Sequence, residues 1–410
     1  MEDIVKKRQR LSFFSVLFTF FVDNLGWSIV FPIFAPLFLD PGNLVFSTDV
    51  SVASRTTLLG IFLMAFPLAQ FFGAPVLGEI ADKYGRKKAL ILSIFLTFVG
   101  YVLSAWGIGE KNLTLLFIAR LITGLFSGNL SICLATIADL SIDKRTKLKN
   151  YSHLSIIAGL SFILGAFLGG KFSDKTISSM FTEAFPLWIA SVLCFLNFLF
   201  LIFAFTETYH VKTKKKFDLW ESVHNIQKAL KTKKIKSMYV IYFLFVFGWT
   251  IVFQFAPVLV LKKFLFTNSQ IGNLAAFIGV AWAIGSGVIH KILTKRFSSL
   301  RVLEVVLVVF MAFSVLITFQ RSVTSVIVLL GFCGVIGGIA WPICTALISN
   351  LATKEMQGKI LGVSQSMQSL AMALSPLIGG FSDQISSHLP FILAGIASFI
   401  GSMIYFRVRF

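Results

Sequence analysis

The chain has 410 residues, of which 37 are Lys or Arg and 18 are Asp or Glu, so only 13% are charged, about half the roughly 25% of a soluble domain. With 56% hydrophobic residues and a mean hydropathy of +0.85, apolar surface must face lipid as well as an interior, which excludes a soluble fold. The unbroken apolar runs also exclude a membrane β-barrel, and the net charge of +19 is placed as membrane topology requires rather than as a nucleic-acid footprint.

Apolar runs predict twelve membrane-spanning helices, over 11–39, 55–79, 89–108, 112–140, 151–170, 186–206, 237–261, 270–292, 301–320, 324–350, 360–380 and 389–407. Both termini and the connections on their side hold 29 Lys and Arg. The opposite connections hold seven, and Arg120 is left within a span. The positive-inside rule therefore puts both termini and the long central loop in the cytoplasm, with the chain in a bacterial-type inner (plasma) membrane. The run Lys6-Lys7-Arg8-Gln9-Arg10 precedes an apolar stretch far longer than a signal-peptide core, so it is read as the start of the first span.

Helix 1 carries Asp23-Asn24-Leu25-Gly26 ahead of Phe31-Pro32. At twelve residues from Leu11, Asp23 lies about 18 Å along the helix, near the bilayer midplane. An isolated carboxylate at that depth changes its proton occupancy with access and nearby charge, which makes it a proton-coupling candidate; a structural pairing with Arg120 is the alternative.

Between helices 2 and 3 stands Gly78-Glu79-Ile80-Ala81-Asp82-Lys83-Tyr84-Gly85-Arg86-Lys87-Lys88. Gly78 would let helices approach and Gly85 permits a tight turn. Asp82 and Arg86 are four apart, where they can pair. The stretch resembles the G-x-x-x-D-x-x-G-[RK]-[RK] signature of the major facilitator superfamily. That resemblance implies an all-α membrane protein of two pseudo-symmetric six-helix bundles, a secondary transporter whose halves are latched at the cytoplasmic side by this cluster. Helix 4 holds Arg120-Leu121-Ile122-Thr123-Gly124, similar to the family's R-x-x-x-G element. A basic residue inside a span costs at least about 2.5 kcal/mol, so Arg120 should face the cavity with Asp23 or an anionic substrate as partner, unless it snorkels outward. Asp139 is read as a partner of Arg86.

Helix 5 offers Gly165-Ala166-Phe167-Leu168-Gly169-Gly170 where the drug/proton antiporter branch carries G-P-x-x-G-G; Ala166 stands in place of the proline. The acidic residue ahead of a proline in helix 1 likewise resembles the first helix of tetracycline and multidrug exporters. The connection at 207–236 has nine Lys; Asp218 and Glu221 have capping-box spacing, and Leu219, Val223, Ile226 and Leu230 share a helical face. It is read as an amphipathic helix on the inner leaflet, with a solvated linker as the alternative. The predicted domains are thus 1–206, the linker 207–236, and 237–410.

The second half repeats the first. Gly26-Trp27-Ser28-Ile29-Val30-Phe31 recurs as Gly248-Trp249-Thr250-Ile251-Val252-Phe253, and Ala35-Pro36 as Ala256-Pro257. Gly60 and Gly73 match Gly272 and Gly285, while Gly124 and Gly128 match Gly334 and Gly338. Gly169-Gly170-Lys171-Phe172-Ser173-Asp174 parallels Gly379-Gly380-Phe381-Ser382-Asp383. The counterpart of Asp23 is Phe245, and the counterpart of the helix 2–3 motif, Lys295 to Arg301, lacks both the Asp and the Gly. Parallel repeats place a substrate site at their interface. Its candidate lining is Asn24, Trp27, Gln70, Asn129, Trp249, Gln254, Trp282, Trp341, Gln365 and Gln368; the latch is Gly78, Asp82, Gly85, Arg86 and Asp139.

No G-x-x-x-x-G-K-[ST] element supports ATP-driven pumping, and Cys133, Cys194, Cys333 and Cys344 have no metal-site spacing, so neither cofactor nor metal is expected. His153 and His290 fall at helix ends, which disfavours a polytopic enzyme. The expectation is a monomeric, proton-coupled transporter of a small molecule, most simply an exporter of a drug-like compound or metabolite. Symport of an organic acid, siderophore or other nutrient is the alternative, and a receptor the reading of a different class.

Overall fold

The computed structural model describes residues 2–40, 50–141, 143–209, 220, 223–224, 227, 233–350 and 357–408, and every regular element among them is helical. In chain order these are α1 (Glu2–Ser28), α2 (Phe31–Leu39), α3 (Val52–Tyr84), α4 (Arg86–Gly109), α5 (Leu113–Phe126), α6 (Leu130–Leu140), α7 (Lys144–Phe172) and α8 (Phe185–Ala204). They continue as α9 (Lys233–Phe264), α10 (Asn268–Ile284), a π-helical turn (Gly285–Ile289), α11 (His290–Arg296), α12 (Ser299–Phe319), α13 (Val323–Asn350), α14 (Gln357–Ile385) and α15 (Leu389–Val408). Of the linker-helix residues, Val223 is helical, whereas Asp218, Leu219, Glu221, Ile226 and Leu230 lie outside the described residues.

Ten stretches among the described residues are long and apolar enough to cross a membrane, the first Gln9–Leu39 and the last Val323–Ser349. The predicted spans at 360–380 and 389–407 fall in α14 and α15, which are not among the ten; α15 contains a shorter apolar helix, Leu389–Ile404. Several helices expose apolar stripes at helical spacing: Ile156, Leu160, Leu164 and Phe167 on α7, and Ile396, Phe399, Ile400 and Met403 on α15. Such stripes are what a lipid-facing surface requires, and the chain is an integral, multi-pass membrane protein.

Two helices predicted as continuous are broken. The first span stops at Ser28 and resumes at Phe31, because Pro32 has no N–H and its ring clashes with the carbonyl four residues back. The fourth stops at Phe126 and resumes at Leu130, leaving Ser127-Gly128-Asn129 between two helical pieces. Elsewhere the helix starts follow from local chemistry. Asn112 and Asp143 accept from the backbone N–H three residues on, and Thr267 with Gln270 forms a capping box.

The chain groups into two units, Met1–Ile33 with Leu68–Glu221, and Phe34–Pro67 with Ser222–Phe410. In the first, Val16, Phe20, Leu77, Leu90, Ile94, Ile132, Ile137 and Leu201 are among the residues of one apolar core. Two of the duplicated glycine pairs make matching contacts within their own units. A Cβ on Gly73 would collide with the Leu125 carbonyl, and one on Gly285 with the Val335 carbonyl; Gly128 lies against Ala74 as Gly338 lies against Trp282 and Ser286. Only glycine allows helix backbones that close. Gly78 is different: among the described residues a Cβ there would meet nothing within 4 Å, so none of them makes the close approach inferred for it from the motif.

Candidate functional site

In the first unit the break between α5 and α6 creates a polar site. Interrupting a helix at membrane depth frees carbonyls that no water satisfies, so side chains must take them. Gln70 on α3 donates from Nε2 to the Ser127 carbonyl at 3.0 Å, and the Ser93 hydroxyl on α4 contacts the Phe126 carbonyl. Ser93 also contacts Asn129 Oδ1 at 2.6 Å. Asn129 is the residue before α6, yet its amide does not cap that helix. Instead Nδ2 donates to Asp23 Oδ2 at 2.7 Å. Asp23 and Asn129 are both buried, and Asp23 Oδ1 has no hydrogen-bond partner among the described residues.

Arg120 is buried on α5 and Tyr101 on α4; Tyr101 lies in electrostatic reach of both Arg120 and Asp23. The Tyr101 hydroxyl packs against Gly26, one turn beyond Asp23, where a Cβ would collide with it. A buried tyrosine directly after Gly100 in an apolar span is a signal the motif-led reading passed over. On α7, Gly165 rests against Leu25 and Ser28, and Gly169 against the Ile29 carbonyl. The glycines of the antiporter-like motif therefore back the helix that carries Asp23, at its break.

The remaining predicted lining residues divide between the two units. Trp27 packs on Phe31 and Phe162 with ring centroids 4.8 and 5.7 Å away, while Asn24 turns back to the Phe20 carbonyl at 2.8 Å and is half-buried. In the second unit Trp249, Trp282 and Trp341 form one half-buried aromatic wall, with centroids 4.4 Å apart for Trp249 and Trp282 and 5.7 Å for Trp282 and Trp341. Gly337 makes room for the first pair, and Tyr242 extends the wall beside Trp341. Tyr242 donates to Gln368 Oε1 at 3.1 Å, and Gln365 is half-buried on the same helix, α14. Thr250 Oγ1 and Gln254 Oε1, one turn apart on α9, are buried without a hydrogen-bond partner among the described residues.

At the turn between α3 and α4, Arg86 pairs with Asp82 at 2.6 Å and Asp139 at 3.6 Å. The motif-led reading missed the group that organises this corner. The Glu207 carboxylate accepts backbone N–H groups of Arg86 (2.9 Å), Lys87 (3.1 Å), Thr208 (3.0 Å) and Tyr209 (3.0 Å), an anion seated at the N-terminus of α4. Gly85, at φ 101°, turns the chain there, and a Cβ on it would displace the carboxylate. Tyr209 covers the Arg86 guanidinium at 4.5 Å from its ring centroid. The matching corner of the second unit, before α12, is capped among the described residues by Ser298, through the Arg301 N–H at 3.4 Å.

Among the described residues no three His, Cys, Asp or Glu gather where they could hold a metal ion, and all four cysteines are buried free thiols.

The profile described as Major Facilitator Superfamily matches residues 16–303 and 238–410. The chain is 23% identical over 402 residues to Multidrug resistance protein 2 of Bacillus subtilis (strain 168), covering 96% of this chain and 94% of that one. It is 26% identical over 394 residues to the class D tetracycline resistance protein of Salmonella ordonez, covering 94% and 92%. Among solved structures, the human organic anion transporter MFSD10 (TETRAN) superposes with a TM-score of 0.71 at 19% identity, over 97% of this chain and 99% of that one. The D-xylose-proton symporter superposes at 0.75 with 15% identity, over 98% and 97%. At these identities the structures speak to the fold.

Proposed function

The chain belongs to the major facilitator superfamily of transporters, and on that premise we propose that it exports a drug-like compound or metabolite in exchange for protons, by alternating access of two six-helix halves. In this reading residues 1–206 and 237–410 are the halves, twelve helices cross the membrane, both termini are cytoplasmic, and the working unit is a monomer. The observation that carries it is the Asp23–Asn129 hydrogen bond at the α5/α6 break. Asn129 fixes one carboxyl oxygen, and the other is the atom that carries the proton. When the proton leaves, Tyr101, in electrostatic reach of both Asp23 and Arg120, is the polar group through which the Arg120 charge meets the carboxylate; when substrate or a proton replaces that interaction, the balance of inward-open and outward-open states shifts.

One proton crossing 100 mV contributes about 2.3 kcal/mol and each pH unit about 1.4, enough for a solute gradient of up to a few hundredfold per proton. Export is favoured because the similar proteins are named for multidrug and tetracycline resistance, and because the tryptophan wall suits an amphiphilic solute. The corner of Asp82, Gly85, Arg86 and Asp139 acts as the cytoplasmic latch. Import by symport is the second reading, favoured by Ala166, buried where the antiporter motif has proline.

The test is a thermal-stabilisation screen of the purified protein against drugs, organic acids and siderophores, followed by transport of the stabilising compound in inverted membrane vesicles. Proton-gradient-driven accumulation inside those vesicles supports export. Accumulation unchanged by a protonophore contradicts the coupling, and uptake only in right-side-out vesicles favours import.

A further inference from the structure

Four spans of the second unit carry polarity without charge. Residues 238–261, 268–289, 323–350 and 360–382, which supply the membrane lengths of α9, α10, α13 and α14, contain no Asp, Glu, Lys, Arg or His. They place amide and hydroxyl side chains beside the tryptophan wall instead. Tyr239 and Tyr242 of α9 hydrogen-bond Ser364 and Gln368 of α14, the second pair at 3.1 Å. The repeat counterparts of these four residues are Leu17, Phe20, Leu154 and Ala158, so the polar seam belongs to the second half and is no relic of the duplication.

Two polar side chains are left over from this pairing. Thr250 and Gln254, near the middle of the span Lys236–Phe264, are 2% and 6% exposed, and neither Thr250 Oγ1 nor Gln254 Oε1 has a hydrogen-bond partner among the described residues. They lie one turn apart, about 100° around α9 from Trp249 and Phe253. The first-half counterparts leave no such atoms: Ser28 donates to the Leu25 carbonyl at 3.1 Å, and Pro32 has no polar side chain. A buried acceptor without a donor is destabilising, so its retention calls for a use. An amide oxygen only accepts, and what completes Gln254 is an N–H or O–H on a bound molecule. An ion fits poorly, because a charge buried against these spans would find no counter-charge on them. The tryptophan rings on the adjoining face offer flat apolar surface. Three residues beyond Trp282 the helix enters its π-helical turn, and such turns recur at functional sites.

We infer that the second unit holds the solute through an uncharged aromatic ring system seated on Trp249 and Trp282, whose amide N–H or hydroxyl donates to Gln254 Oε1, with Thr250 Oγ1 as the second polar contact. This names the solute class for the export reading above and rests on it.

Four naphthalene probes that differ in one substituent test it, by calorimetric titration of the detergent-solubilised protein at pH 7: 2-naphthamide, N,N-dimethyl-2-naphthamide, 2-naphthoate and 2-naphthylmethylammonium. The primary amide should bind at least about tenfold more tightly than the other three, roughly the worth of one buried hydrogen bond. Gln254→Leu should bring it to within about twofold of the dimethyl amide. Because each substitution removes an unsatisfied buried atom, Gln254→Leu and Thr250→Val should also melt at or above the parental temperature. Tighter binding of the anion or the cation than of the primary amide overturns the inference. So does a preference for the amide that survives Gln254→Leu, or no amide binding at millimolar concentration. A lower melting temperature for Gln254→Leu overturns it as well, since the amide would then be serving the fold. Equilibrium binding at one pH, without a gradient, is blind to proton coupling and to the direction of transport, so the two readings fail separately.

Discussion

Asn129 Nδ2 reaches Asp23 Oδ2 at 2.7 Å because the helix that would have carried Asn129 through the membrane stops at Phe126 and restarts at Leu130. In an unbroken helix the amide would remain on the helix surface and the carbonyls of Phe126 and Ser127 would be occupied internally. The break supplies both the donor for Asp23 and the carbonyl contacts that tie Gln70 and Ser93 to the same place.

Removing the donor should therefore be felt twice. Asn129→Ala leaves an Asp23 oxygen without its donor, while Ser93 keeps the Phe126 carbonyl, and a buried polar group so deprived costs about 1–3 kcal/mol. The expected outcome is a lower melting temperature of the detergent-solubilised protein together with transport at least tenfold slower. A variant with parental stability and rate would show that Asn129 does not hold the carboxyl.

Glu207 should matter as much as any residue of the motif it serves. Glu207→Gln keeps an acceptor but removes the negative charge at the N-terminus of α4, a loss of about 1–2 kcal/mol in a partly buried setting. Gly85→Ala adds the strain of a backbone conformation, φ 101° and ψ 155°, that essentially only glycine adopts, about 1–3 kcal/mol, and displaces the carboxylate. Both variants should fold, melt at lower temperature and turn over several-fold more slowly. Thermal unfolding and initial transport rates check this.

Much of this was legible in the sequence, for reasons that differ by residue. Asp82, Gly85 and Arg86 sit within five positions, so local spacing carries their geometry. The glycine pairs declared themselves because duplication repeats a packing constraint, and Gly73 and Gly285 meet equivalent carbonyls. The two helix breaks were masked by continuous apolar patterning, although Pro32 and the Gly128-Asn129 dipeptide were local signals against a continuous helix. Gly78 shows the opposite case, a motif position whose expected contact is not made among the described residues. Glu207 lies some 120 residues from Arg86 and Lys87, whose N–H groups it accepts, and Lys262 as far from Asp383, to which it donates; no periodicity or spacing connects them.

The glycine contacts give a graded stability prediction. Gly73→Val and Gly285→Val drive a side chain into a neighbouring helix backbone and should each cost at least 1–3 kcal/mol, about the usual penalty of overpacking. Gly159→Ala, on α7 with nothing within 4 Å among the described residues, should be neutral or slightly stabilising. Melting curves of the three purified variants would rank them, and equal behaviour of Gly73→Val and Gly159→Ala would contradict the packing.

The tryptophan wall makes a binding prediction. A solute seated against Trp249, Trp282 and Trp341 should quench intrinsic fluorescence on titration, and Trp282→Ala should weaken its apparent affinity about tenfold while leaving the Asp23 site intact. Unchanged affinity would place the solute elsewhere.

The central claim is that Asp23 carries the coupled proton, and it is tested most directly by Asp23→Asn in proteoliposomes with an imposed pH gradient. The carboxamide is nearly isosteric and cannot exchange a proton. Asp23→Asn should bind the transported compound with parental affinity and equilibrate it down its own gradient, but no longer concentrate it when the pH gradient is applied. Concentration of the compound by Asp23→Asn at the parental rate and to the parental ratio would contradict it.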